Sequence, residues 1–149
     1  MYPGSATKVG VALTTPTSAA TAVRAVNFDC AGNGAAYATI FVNLSAEKNT
    51  DATGVTLSLA HSNTTHTSGT NLTTVVADRT EDLTTAHMVT YHVPLKGKRR
   101  YLNLTSTPDT STNGSICVGA NYVLSNLSNR PANTTDMALS TNDVVVMVS

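Results

Sequence analysis

Four histidines, His61, His66, His87 and His92, are the first residues in this chain that could do chemistry. They fall into two pairs, each five residues apart. On a strand, side chains an odd number of positions apart point to opposite faces, whereas a zinc site needs ligands that converge. No cysteine or carboxylate stands at a metal-like spacing beside either pair, so no metal and no cofactor is expected. Serine and threonine abound, but none lies in a G-x-S-x-G elbow that would expose a nucleophile, and there is no glycine-rich phosphate loop. Glu81 and Asp82 are adjacent in a polar stretch and read as solvated carboxylates rather than a shared acid–base pair. The expectation is a protein that is not an enzyme.

Charge is concentrated in one place. Lys96, Lys98, Arg99 and Arg100 put four of the nine basic residues into five positions around Gly97. Lys96, Lys98 and Arg99 are the candidate partner-binding residues, a docking patch for an acidic surface; the plainer alternative is a solvated hairpin tip. Alternation puts Arg100 on the face of Leu102 and Leu104, where it must be paired or lie at a rim. Seven Asn-x-Ser/Thr sequons, at Asn43, Asn63, Asn71, Asn103, Asn113, Asn126 and Asn133, matter only on a secretory route. Residues 1–5 begin no signal peptide, because no apolar stretch follows them, so synthesis in a cytosol is expected. Cys30 and Cys117 are then expected as free thiols.

Composition bounds what must position these groups. At 149 residues the chain suits one core, enough to bury roughly 68–70% of its unfolded surface. Only 12% of residues are charged, and Thr, Ser and Asn, 52 of 149, supply the polarity instead. Thr favours strands and Asn favours turns. A formal net charge of zero argues against a general electrostatic grip on nucleic acid. No run approaches the 18 or so apolar residues of a membrane span.

Alternating runs predict eight strands, at about 23–29, 35–44, 55–61, 71–77, 87–93, 99–105, 116–124 and 144–148. Asn33-Gly34 and Asn113-Gly114 suit turns needing positive φ, and the first, lying directly between two runs, suggests a type I′ hairpin. Pro94 should close its strand because it cannot donate to a ladder. The stretch 80–86 reads as a loop or single turn. Residues 1–20 carry Pro3, Gly4 and Pro16 with only Val9, Val11 and Leu13 alternating, so they read as an N-terminal arm whose Val9, Val11, Leu13 and Pro16 engage a neighbouring subunit. The domain organisation is thus an arm, 1–20, and a β-sandwich domain, 21–149. The fold class is all-β, a single antiparallel sandwich of jelly-roll-like kind, with a closed barrel as the second choice. Its expected core is Val26 and Phe28; Ala38, Ile40, Val42 and Leu44; Val55, Leu57 and Leu59; Val89, Tyr91 and Val93; Leu102 and Leu104; Ile116, Val118, Tyr122 and Leu124; and Val144, Val146 and Val148.

The segment Leu57-Ser58-Leu59-Ala60-His61-Ser62, then Asn71-Leu72-Thr73-Thr74-Val75, then Lys98-Arg99-Arg100-Tyr101-Leu102-Asn103-Leu104, resembles small virion proteins of tailed bacteriophages. In those, a strand ending in His-Ser leads through a variable turn to a Thr-Val strand, and a later strand reads Lys-Arg-Tyr-Leu-x-Leu. The resemblance covers roughly residues 55–124; the richer Thr and Asn content and the run 126–140 depart from the pattern. It implies a capsid decoration, or cement, protein: a β-sandwich, often a homotrimer, bound to the major capsid protein on the outside of an icosahedral head, after synthesis in the host cytoplasm. A single jelly-roll capsid protein is the close variant. The alternative from another class is a glycan-binding sandwich of a phage fibre or cell surface, which would normally show aromatic platforms. Trp is absent, although Tyr37, Tyr91, Tyr101 and Tyr122 are present.

Overall fold

The computed structural model describes residues 7–8, 24–31, 34–46, 52–65, 72–110, 118–125 and 144–148. Within them the alternating runs become nine strands: β1 (Thr7–Lys8), β2 (Arg24–Asp29), β3 (Tyr37–Leu44), β4 (Ala52–Ser62), β5 (Thr73–Asp82), β6 (His87–Pro94), β7 (Tyr101–Thr110), β8 (Val118–Ser125) and β9 (Val144–Met147). No helix occurs among the described residues. The strands form two sheets, one ordered β1-β8-β3-β6-β9 and the other β2-β7-β4-β5. This is an all-β, antiparallel-dominated architecture consistent with a β-sandwich. The ladders nest, β1 with β8, β2 with β7, β3 with β6 and β4 with β5, all antiparallel.

The core is built from the two inward faces. Phe28, Leu57, Leu59, Leu102 and Leu104 from one sheet, and Ile40, Val42, Val89, Tyr91, Val93 and Leu124 from the other, are essentially sealed from solvent. Each such side chain contributes roughly 1.5–3 kcal/mol when fully buried. With few aromatics, one ring pair carries special geometry: Phe28 and Tyr122 meet across the sheets at 4.8 Å, tilted by 50°. The Tyr122 hydroxyl donates to the Asp29 carbonyl at 3.1 Å, so its polar end is satisfied inside the core.

Several expectations need correction. The sandwich is not wholly antiparallel, since β9 runs parallel to β6. Its Val144 and Val146 pair with Val89 and Tyr91 and pack partly buried against the core, which keeps the inward alternation intact. Asn33-Gly34 does not make a hairpin: β2 and β3 belong to different sheets, and Gly34, with φ +58°, lies in a corner between them. The basic turn is likewise an inter-sheet corner, joining β6 to β7, and not a hairpin tip. β5 runs on to Asp82, well past the expected end at residue 77, through a bulged register against β4. Leu83, just beyond it, is 1% exposed and joins the core. β1 lies at residues 7–8, and Val9, Val11, Leu13 and Pro16 fall outside the described residues, as do Ile116 and Cys117. Cys30 is half-buried just past the end of β2, its Sγ 3.6 Å from the Phe28 carbonyl.

Candidate functional site

The basic cluster sits on residues 95–100, where the chain leaves β6 for β7. Pro94 ends β6 as its missing N–H requires. The Lys98 N–H then returns to the Leu95 carbonyl at 3.0 Å, closing a turn whose third residue, Gly97, has φ +77°. That is the backbone a type II turn demands at this position, and the reason glycine stands there. Three further bonds anchor the loop. Leu95 N–H donates to the Ala36 carbonyl at 2.8 Å, Cys30 N–H donates to the Arg100 carbonyl at 2.9 Å, and Arg99 N–H donates to Nδ1 of His61 at 2.9 Å.

The four cations do not share one environment. Arg100, just before β7, is paired: its Nε and Nη2 reach Oδ1 and Oδ2 of Asp29 at 3.1 and 2.8 Å, and its guanidinium lies 4.9 Å over the Tyr101 ring. The bond to Asp29 and that carboxylate's charge raise its pKa further. Lys96 and Arg99 are exposed and Lys98 is half-buried. The loop therefore presents Lys96, Lys98 and Arg99, the three residues singled out from the sequence.

His61 ends inside the sandwich mouth rather than on its surface, 8% exposed, between Leu102 of β7 and Thr73 of β5. Burial lowers its pKa, and the nearby charges of Lys98 and Arg99 lower it further. Its neighbour Ser62 faces the other way, donating to the Thr64 carbonyl and accepting from Nδ2 of Asn103 at 3.1 Å.

A second polar cluster lies at the opposite end of β6, and sequence reading missed it. Glu81 is 6% exposed, not solvated. Its Oε1 accepts from Nε of Arg79 and its Oε2 from Nε2 of His87 at 3.2 Å, while Nδ1 of His87 lies 3.0 Å from the Thr85 carbonyl. This ties β5 of one sheet to β6 of the other. Tyr91 approaches the same carboxylate from the core; burial, reinforced by the charge of Glu81, pushes its hydroxyl up to about 12. The signal was present in the sequence, because alternation places Glu81 and Asp82 on opposite faces and Arg79 and Glu81 on the same one.

His92 is buried as well. It faces away from the core yet is 4% exposed, its Nδ1 bonded to the Thr39 hydroxyl at 3.0 Å and its ring stacked on Tyr37 at 5.1 Å. Its neighbour Thr90 is completely covered between Phe41 and Val145. Among the described residues no three histidines, cysteines or carboxylates gather as metal ligands, and His66 lies outside them. Of the sequons, Asn103 is 1% exposed and closed to a glycan, whereas Asn43 and Asn63 are exposed.

No family model, no curated protein and no solved structure matches the chain.

Proposed function

We propose that this is a non-enzymatic virion structural protein of jelly-roll type, a capsid decoration protein that binds and stabilises the outside of an icosahedral head. The observation that carries this reading is the nested ladder. Strands β1 to β8 pair first with last inward to β4 with β5, and they fall into two four-membered sets, β1-β8-β3-β6 and β2-β7-β4-β5. We read that order as one long hairpin rolled into two Greek keys, and it supports the jelly-roll assignment, a fold recurrent in capsid domains. The partner is the major capsid protein, met as a homotrimer in which many identical contacts multiply modest affinities.

Charge placement favours the loop 95–100 as one point of contact. The chain is neutral overall, but the described charges are polarised. Lys96, Lys98 and Arg99 stand at one end of the sandwich, whereas Glu81 and Asp82 pair with Val55 and Gly54 near the other end of β4. A local positive patch on a sparsely charged body attracts an acidic surface without general affinity for polyanions.

The test has two arms. Mass spectrometry of purified particles should find the protein at a fixed copy number relative to the main shell protein; a chain that is itself the main shell component is the single jelly-roll capsid variant, and absence from particles refutes the reading. Replacing both Lys96 and Lys98 by Glu should leave the fold intact and lower occupancy on particles at low salt. Exposed pairs contribute only about 0.2–1 kcal/mol each, but an oligomer repeats them. Undiminished decoration by the double variant would place the contact elsewhere.

A further inference from the structure

We propose that His61 is a pH-operated latch on the loop 95–100: the neutral imidazole holds the loop by accepting the Arg99 backbone N–H, and protonation of that nitrogen releases it. The geometry makes the two states exclusive. Nδ1 lies 2.9 Å from the Arg99 nitrogen, which can only donate. A ring nitrogen that accepts must keep its lone pair free, so the proton of the neutral ring is on Nε2, and an imidazolium has no acceptor left to offer.

Nothing among the described surroundings compensates a charge on this ring. The charged groups acting on it are Lys98 and Arg99, both cations of the loop itself. Its ladder neighbours, Leu102 on β7 and Thr73 on β5, are uncharged. Arg100, next along the chain, is engaged by Asp29, which also occupies that carboxylate. Protonation therefore removes one anchor and adds a third positive charge beside two that already repel it. Leu95 and Arg100, tied at the loop's two ends to Ala36 and Cys30, remain as hinges.

The direction follows by linkage. A histidine whose folded pKa lies below its ordinary 6.5 contributes stability that is complete above 6.5 and is lost as pH falls through the lower, folded value. The latch is closed at neutral pH and opens in mild acid. On the docking reading, it would make the presentation of Lys98 and Arg99 to a partner depend on pH. The latch itself rests only on the contacts around His61 and is tested without any particle.

The experiment is nuclear magnetic resonance on the isolated, nitrogen-15-labelled full chain. At about pH 7.5 a through-hydrogen-bond coupling should connect the Arg99 amide to His61 Nδ1. It should vanish as the His61 ring titrates below pH 6.5, with the Lys98 and Arg99 amide signals moving at the same midpoint. His61→Asn supplies a neutral acceptor near the Nδ1 position, and in it these amides should stay in place across the same range. The proposal is overturned if the ring protonates while the Arg99 amide does not move, or if the Asn variant shows the same acid transition. Should the variant not fold, the ring and amide titrations of the unmodified protein decide alone: a shared midpoint supports the latch, and an unresponsive amide rejects it.

Discussion

Replacing Glu81 by Gln keeps the shape of the side chain and removes its charge, and the structure sets the size of the effect. Two partners lose a carboxylate. Arg79 has 40% of its side chain exposed and can turn to water, so its share resembles that of an exposed pair, about 0.2–1 kcal/mol. His87 cannot, because its side chain is 6% exposed and that of Glu81 7%. A hydrogen bond to a charged group in such a setting contributes about 1.5–3 kcal/mol. The amide oxygen of Gln can still accept one bond, so the expected net loss is about 2–3 kcal/mol. For a domain of this length that lowers the midpoint of thermal unfolding by about 4–12 °C. Urea unfolding near neutral pH, read by far-ultraviolet circular dichroism, measures it directly. Asp82→Asn, one residue on and exposed, is the control and should change stability by no more than about 0.5 kcal/mol. A double-mutant cycle with His87→Asn should return a coupling of about 1–2 kcal/mol, within the range for residues in one network. If Glu81→Gln is as mild as Asp82→Asn, the Glu81–His87 contact does not clamp the two sheets together.

Four further outcomes are expected. The buried Tyr91 hydroxyl has no hydrogen-bond partner among the described residues, so Tyr91→Phe should be neutral or stabilising by up to about 1 kcal/mol; a larger loss by urea unfolding would mean the hydroxyl is bonded. Tyr91 and Tyr122 both ionise near 12 in the fold, raised chiefly by burial above an ordinary 10. Their contribution to stability is complete below pH 10 and drains away between 10 and 12, and a tyrosinate absorbance titration should show a late step that Tyr91→Phe and Tyr122→Phe each diminish. A methyl group on Gly54 would sit 2.9 Å from the Glu81 carbonyl oxygen, so Gly54→Ala should push β5 from β4 at a cost of about 1–3 kcal/mol. Gly97→Ala meets no atom within 4 Å, and its cost, about 1–2 kcal/mol, should come from the positive φ alone.

Alternation made the inward faces readable in advance. Ile40, Val42, Leu57, Leu59, Leu102 and Leu104 bury as their parity requires, because a half-buried strand imposes a period of two on its residues. Which strand lies beside which was less legible. Asn33-Gly34 carries the local chemistry of a tight turn but cannot say whether the strands it joins share a sheet, since a corner and a hairpin both need positive φ. Parity gives the face of a side chain and not its cover: the burial of Thr90 and His92 comes from neighbours on β3 and β9, strands distant in sequence. In the candidate site, the triplet Lys96, Lys98 and Arg99 was visible as composition. The role of His61 was not, because its partner is a backbone N–H 38 residues away, a group every residue possesses.

Both polar clusters hang from the same strand, and that strand is unusual. Residues 89–93 of β6 are buried without a break, their inward side chains in the core and their outward ones covered between β3 and β9. The backbone of β6 is bonded on both sides, to β3 and to β9, and the His92 carbonyl also accepts from Val148 N–H at 3.0 Å. A strand sealed on two faces and two edges cannot yield locally without opening the sheet, so strain applied at the loop 95–100 is not absorbed along β6. Release of Arg99 must then be taken up by the loop itself, between the anchored Leu95 and Arg100. The Glu81–His87 clamp at the far end is separated from it by the length of β6. The fold thus separates what can move from what holds it, with the three presented cations on the movable part.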